Sequence, residues 1–282
     1  MKAGNVVLVG RPNAGKSTLI NSLVKQKISI VTNKPQTTRR NILGYWWDEN
    51  HQIVFWDTPG IFKKAKGFGV RKINLLPQIS LASADVAVYL IDSTRFRGEE
   101  ENKSLGMVRK INKPKIIAIN KIDSKKENFI HQYTYLKEEF DDWVEISALK
   151  EINLKTLLEK IKKYLPENPA LFDPEEIRSF PSNLTPKEFV GEIIREKAFK
   201  ILFDELPYTV RVQVEELTEK KDLFYVKADI LTTDKRYRKM IIGAKGKNIK
   251  EIGTLARKEL ELITNKKVFL DLEVKTANSG SL

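Results

Sequence analysis

Residues Gly10-Arg11-Pro12-Asn13-Ala14-Gly15-Lys16-Ser17 fit the spacing G-x-x-x-x-G-K-[ST]. Glycines at the two ends let the backbone curl so that its N–H groups face phosphate oxygens, and the positive end of a following helix adds to that attraction. In such a loop Lys16 reaches the β- and γ-phosphates, Ser17 offers its hydroxyl to Mg²⁺, and Thr18 is a further nucleotide contact. The chemistry this pattern supports is the binding of a nucleoside di- or triphosphate.

Three further motifs follow in order. Asp57-Thr58-Pro59-Gly60 succeeds the apolar run Gln52–Trp56. Asp57 would hold Mg²⁺ through water, and the Gly60 N–H would bond the γ-phosphate. Asn120-Lys121-Ile122-Asp123 then specifies the base. A carboxylate only accepts hydrogen bonds, so Asp123 matches the N1–H and N2 amino donors of guanine, a donor pair that adenine lacks. Asn120 and Lys121 would brace the loop, with Lys121 packing on the ring. In Ser147-Ala148-Leu149 the Ala148 N–H would meet guanine O6. Between the first two motifs lies Asn33–Arg40 with Gln36-Thr37-Thr38-Arg39. A threonine here would complete the Mg²⁺ shell, and Thr38 is chosen over Thr37.

The catalytic set is therefore Lys16, Thr38, Asp57 and Gly60, with Ser17 and Thr38 as metal ligands. Where related enzymes place a glutamine to orient the attacking water, this chain has Ile61, which predicts slow intrinsic hydrolysis. Asn13 is a candidate to hold an activating K⁺ near the β–γ bridge, where a cation stabilises the developing charge. The bland alternative is that Asn13 only shapes the loop.

A second site is suggested by Ile241-Ile242-Gly243-Ala244-Lys245-Gly246-Lys247-Asn248-Ile249, a G-x-x-G loop before a helix. Glycines admit a sugar–phosphate backbone closely, which is how a KH domain clamps single-stranded nucleic acid. Residues 235–250 hold seven basic residues and no acidic one, a dense local site for phosphates. Ile242, Gly243, Ala244, Lys245, Gly246, Lys247, Lys250, Arg236 and Arg238 are the candidate RNA contacts. Ile241, Ile242, Ile249 and Ile252 are expected to form an apolar groove for splayed bases.

Elements must exist to carry these loops. The apolar runs Asn5–Gly10, Gln52–Trp56, Asp85–Ile91, Lys115–Asn120 and Trp143–Ser147 read as strands covered on both faces. Helical patterns such as Gly15–Lys25 and Asn153–Leu165 separate them. The alternation predicts an α/β domain over residues 1–167, with a mostly parallel sheet and helices on both faces. Pro166, Pro169, Pro174, Pro181 and Pro186 crowd the next stretch, so 168–184 reads as a linker. Thr185-Pro186-Lys187-Glu188 then starts a helix with a capping box. Val210, Val212 and Val214 face Phe224, Val226, Ala228 and Ile230 across a polar turn. A helix at about Asn248–Leu262 and a strand through Val268–Val274 close an α+β domain at 185–282.

The chain has 282 residues, no cysteine and a net charge of +13. Disulfides and thiolate metal sites are excluded, and no apolar run is long enough to span a bilayer. The N-terminus lacks the features of a secretory signal, so a cytoplasmic protein is expected. The charge surplus points to a polyanionic partner. It does not locate that partner, because residues 181–282 carry 20 basic and 16 acidic residues, leaving +9 for residues 1–180.

Taken together, GRPNAGKSTLIN, QTTRR, DTPG, NKID and SALK resemble the GTPase domain of the Era family. Glu192–Lys197, Glu205-Leu206-Pro207-Tyr208 and GAKGKNIKEIG resemble its KH domain. The resemblance runs nearly end to end. It implies a P-loop GTPase domain followed by a type II KH domain, with GTP or GDP and Mg²⁺ bound at the first. It implies binding near the 3′ end of small-subunit ribosomal RNA, a role in 30S assembly, and peripheral contact with the inner membrane face. No stable homo-oligomer is expected. Phe62 and the basic segment Phe62–Leu76 depart from relatives. The alternatives are a tRNA-modification or other ribosome-associated GTPase, and an RNA-binding protein with a weak nucleotide switch. The expected switch is ordering of Asn33–Arg40 and Gly60–Leu76 by GTP.

Overall fold

The computed structural model describes residues 1–32, 34, 42–57 and 83–277. Thr37, Thr38, Gly60, Ile61 and the segments expected to switch lie outside these residues. Contacts divide the chain into two units, one reaching Asn183 and one beginning at Leu184.

In the first unit the strands β1 (Lys2–Val9), β2 (Ile42–Trp47), β3 (His51–Asp57), β4 (Val86–Asp92), β5 (Lys115–Asn120) and β6 (Asp142–Glu145) form one sheet in the order β2-β3-β1-β4-β5-β6. β1 pairs in parallel with both β3 and β4, β4 with β5, and β5 with β6. Every residue of β4 is buried, as expected of a strand covered on both faces. Helices α1 (Lys16–Val24), α2 (Glu99–Arg109) and α3 (Leu154–Tyr164) surround the sheet. One face of the sheet carries a core with Val6, Leu8, Leu19, Phe55 and Leu157, and the other a core with Val7, Tyr89, Leu105, Ile117 and Tyr133.

Two features differ from the sequence reading. β2 was not among the expected strands. It is the antiparallel edge, paired with β3 from Ile42↔Asp57 to Trp47↔Gln52. The proline-rich stretch read as a linker holds to that edge. The Tyr45 N–H donates to the Pro181 carbonyl at 3.0 Å, and the Leu171 N–H donates to Gln52 Oε1 at 2.7 Å. Phe172 lies against Tyr45 and Trp47, with ring centroids 5.1 and 6.0 Å apart. Proline excludes a helix interior and a central strand, but it leaves an edge partner free.

The second unit begins with α4 (Pro186–Ile201), whose capping box forms as its sequence specifies. Thr185 Oγ1 accepts from the Glu188 N–H at 3.3 Å, and Glu188 Oε2 accepts from the Thr185 N–H at 2.8 Å. Strands β7 (Arg211–Glu219), β8 (Leu223–Thr232) and β9 (Lys267–Thr276) follow, with β8 antiparallel to β7 and parallel to β9. The parallel pair needs a crossover. Two helices supply it, α5 (Lys235–Ile242) and α6 (Lys247–Thr264), joined at Gly243–Gly246. The helix α5 adds to the expected order of elements, because the basic run 235–240 carries little apolar signal. Phe189, Ile193, Phe199, Val226, Ile230, Ala256 and Leu260 are buried in this unit.

Replacing Thr185 with alanine removes the reciprocal cap. A loss of about 1 kcal/mol is expected, read by native-state hydrogen exchange as reduced protection of the first-turn α4 amides. Thr185→Ser should retain most of it.

Candidate functional site

The carboxyl ends of β1, β3, β5 and β6 deliver the four motifs to one edge of the sheet, where doubly wound folds bind ligands. The first loop links β1 to α1. Gly15 there has φ 104°, a left-handed conformation that side chains disfavour. A Cβ at this position would also stand 2.3 Å from Asn120 Nδ2. The contact exists because Asn120 reaches across from the end of β5. Its Nδ2 donates to the Ala14 carbonyl at 2.8 Å, and its Oδ1 accepts from the Ala148 N–H at 2.9 Å. One buried amide therefore joins the phosphate loop, the base motif and the loop after β6.

Lys16 is buried, and its Nζ donates to the carbonyls of Gly10 and Arg11 at 3.0 and 3.1 Å. Burial lowers its pKa, opposed by the charges of Asp57 and Glu101. Asp57 is fully buried, and burial raises its pKa. Hydrogen bonds from Ser29 and Ser17 and the Lys16 charge oppose that shift. Asp57 Oδ2 accepts from Ser17 Oγ at 2.7 Å and from Ser29 Oγ at 2.5 Å. Its other oxygen, Oδ1, is buried and accepts no hydrogen bond from the described residues. A hard oxygen left unsatisfied beside a serine hydroxyl suits Mg²⁺ or a water in its shell. Ser29 was missed in the sequence, since nothing in Ile28-Ser29-Ile30 marks it. Asn21 Oδ1 positions it by accepting the Ile28 and Ser29 N–H groups at 3.0 and 2.9 Å.

At the base motif, Asp123 Oδ1 accepts from Ser147 Oγ at 2.6 Å while the residue remains exposed. Asp123 is thus oriented with its carboxylate at the surface, as reading a base edge requires. Lys121 Nζ donates to the Asn13 carbonyl at 2.8 Å and to Asp92 Oδ2 at 2.7 Å. It spans the phosphate loop and the end of β4. Asp92 closes the strand whose expected end was Ile91, and its own carboxyl is held below the usual range. Burial opposes that shift, but bonds from Lys121 and Thr94 outweigh it. Leu149 is exposed and Ala148 buried. Asn13 is exposed with φ 62°, and Pro12 and Ala14 are buried. The Arg11 guanidinium turns inward, which leaves its backbone for the phosphate side of the loop.

In the second unit, Ala244, Lys245, Lys247 and Lys250 are exposed, and Ile242 and Ile249 are half-buried. Gly246 takes φ 76° as the residue before α6. Ile241 and Ile252 are fully buried, so they belong to the core and not to a groove for bases. Arg236 is held by Asp234 at 2.8 Å, and Arg238 Nε donates to the Val274 carbonyl at 2.8 Å. Arg236 stays largely exposed in its pair with Asp234, so it shares the cationic surface of this region with the exposed lysines.

Residues 5–121 match the model of a family described as 50S ribosome-binding GTPase, and residues 205–280 match that of the KH domain. The chain is 38% identical to GTPase Era of Halothermothrix orenii, covering 97% of this chain and 92% of that one. It is 39% identical to GTPase Era of Aquifex aeolicus, covering 98% and 94%. Two solved structures are similar throughout. One is an Aquifex aeolicus Era variant bound to GDP and AlF₄⁻, with TM-score 0.87, 35% identity and 99% and 95% coverage. The other is Era with MgGDPNP and nucleotides 1506–1542 of 16S ribosomal RNA, with TM-score 0.88, 36% identity and the same coverage. The expected fold class, a P-loop GTPase domain with a mostly parallel sheet followed by a KH domain, is the one found.

Replacing Asn120 with alanine orphans the Ala14 carbonyl and the Ala148 N–H together. At about 1–3 kcal/mol for unsatisfied buried groups, nucleotide affinity should fall at least about tenfold, as read by titration with a fluorescent guanine nucleotide.

Proposed function

The chain belongs to the Era family of GTPases, and from that premise we propose that it is a GTP-operated switch that binds the 3′ region of small-subunit ribosomal RNA and assists 30S assembly. The reading is carried by the Asp123 carboxylate, fixed by Ser147 beside a phosphate loop that Asn120 locks in register. That geometry suits guanine and its phosphates together. The similar structure holding MgGDPNP and 16S nucleotides supports both the ligand and the partner. The matching family is described by the 50S particle, but its model spans only residues 5–121. The relative carrying 16S nucleotides covers nearly the whole chain, including the KH unit, and so favours the small subunit.

The reaction is attack of water on the γ-phosphorus of GTP, releasing GDP and phosphate. Lys16 would donate to the β- and γ-phosphate oxygens in place of the loop carbonyls it now meets. Ser17, Asp57 and Thr38 would hold Mg²⁺, which when bound neutralises charge developing on the phosphates. The Gly60 N–H would meet the γ-phosphate. Gly10 to Thr18 would cradle the phosphates, while Asn120, Lys121, Asp123, Ser147, Ala148 and Leu149 frame the base. With Ile61 after the second motif, the side chain there brings no polar group to the attacking water.

The proposal includes K⁺ as an activator at Asn13, whose left-handed conformation and exposure support that role. GTP turnover in K⁺ should exceed that in Na⁺ severalfold at matched ionic strength, and equal rates would remove this part. For the RNA site, replacing Lys245 and Lys247 by alanine removes two phosphate contacts. Affinity for a small-subunit 3′-terminal RNA should fall, and the slope of log affinity against log salt should drop by about 1.4, at about 0.7 per phosphate contact on a single strand. An unchanged slope would refute the assignment of that loop.

A further inference from the structure

Arg11 occupies the first variable position of the phosphate loop. It is 2% exposed and points beneath the loop. Its Nη2 donates to the carbonyls of Asp92 and Arg95 at 3.2 and 3.3 Å, and its Nη1 to that of Phe96 at 3.2 Å. All three belong to the end of β4 and the connection to α2. Its Nε lies 3.1 Å from Oε2 of Glu101 on α2, a carboxylate with no exposed surface. The other oxygen, Glu101 Oε1, accepts from the Tyr89 hydroxyl of β4 at 2.5 Å. Burial pushes the Glu101 carboxyl up, against the Tyr89 hydrogen bond and the Arg11 charge.

A buried ion pair of this kind contributes little net stability, because desolvation offsets the attraction. What it does supply is a fixed geometry. The Arg11 carbonyl is one of the two that hold Lys16 Nζ, and it also accepts from the Ala14 N–H at 3.3 Å. Fixing the Arg11 side chain to β4 and α2 therefore fixes the peptide that aims Lys16. No other acidic side chain pairs with Arg11 among the described residues.

We propose that Glu101 is a positioning residue for the phosphates of the bound nucleotide, acting through its ion pair with Arg11 to hold the phosphate loop and Lys16 in place. This rests on the reading of that loop as the nucleotide site. Glu101 has no exposed surface to offer a nucleotide or metal, so its effect should reach the phosphates through Arg11 and spare the base.

The test uses the full chain and its variants Glu101→Gln, Arg11→Met and the double variant. Each is titrated with GDP and with guanosine as a competitor, and GTP turnover is followed. Wild type is measured first, and failure of wild type to bind GDP would refute the site itself and not this inference. In Glu101→Gln, GDP affinity should fall about tenfold, in line with loss of the charge partner of a buried guanidinium, while guanosine affinity stays within about twofold. The double variant should be no worse than the poorer single one, because the pair acts as a unit. Equal losses for GDP and guanosine would mean that the pair merely supports the domain, and this would overturn the proposal. So would unchanged GDP binding or additive losses. Should Glu101→Gln not fold, Tyr89→Phe removes only the hydroxyl that orients Glu101. It should weaken GDP about threefold with guanosine unaffected, and no change there would equally overturn the proposal.

Discussion

The amide of Asn120 is the constraint on which the first unit's site depends. Its nitrogen donates to one loop and its oxygen accepts from another, each to a backbone group. Because the amide is buried, breaking either bond leaves a polar group without water to replace it. The loop after β1, the loop after β5 and the loop after β6 are therefore set together. The sheet order makes this possible, since β1, β4 and β5 lie side by side in parallel and release their chains at the same edge. Gly15 belongs to the same constraint: the space a side chain would need is where the Asn120 amide sits.

Charge is the second organising quantity. Lys16, Asp57, Asp92, Arg11 and Glu101 are all buried at or below the loop. Isolated, each would cost several kcal/mol, and each is met by a partner of opposite charge or by hydrogen bonds. One oxygen of Asp57 accepts no hydrogen bond from the described residues, while Arg11 Nε and Glu101 Oε2 meet each other as an ion pair without a hydrogen bond. The unmet Asp57 oxygen belongs to the carboxylate that Ser17 contacts, so that polar capacity lies where phosphate and Mg²⁺ would enter.

Much of this was legible from sequence, for a physical reason. Parallel strands buried on both faces must be apolar throughout, and β3, β4 and β5 could be read from that alone. Loops that bind phosphate or base need particular residues at fixed spacing, so Gly10–Ser17 and Asn120–Asp123 announced themselves. What was hidden depends on side-chain direction. The guanidinium of Arg11 suits phosphate as well as it suits Glu101, and only the fold brings the carboxylate beneath it. Ile241 and Ile252 sit beside an RNA-like loop, but the packing of α5 and α6 turns them inward. β2 escaped notice because Ile42–Trp47 belongs to an edge, where alternation is broken by Gly44. The prolines of residues 166–181 spoke against regular structure and said nothing about Phe172 lying on Tyr45 and Trp47.

The two candidate sites share one local device. Both α1 and α6 start after a glycine in the left-handed conformation, Gly15 and Gly246, and neither helix start is closed by a side-chain cap. Helices α4 and α5 begin instead on Thr185 and Asp234, whose side chains accept the first-turn N–H groups. A helix start satisfied by its own side chain has little left to offer an anion. One that begins on glycine with no acidic residue in its first turn, as α1 and α6 do, keeps its N–H groups and its dipole for an external acceptor. Helix α2 differs, since Glu99 to Glu101 follow Gly98 there. At α1 the acceptor is confined by buried charge and a locked loop, which suits a defined nucleotide. At α6 it is flanked by exposed Lys245, Lys247 and Lys250, which suits a flexible backbone whose register the loop need not fix. The same physics of an uncapped helix start would thus suit a specific small ligand in one unit and a polymer in the other, and the difference lies in how much of the surrounding charge is buried.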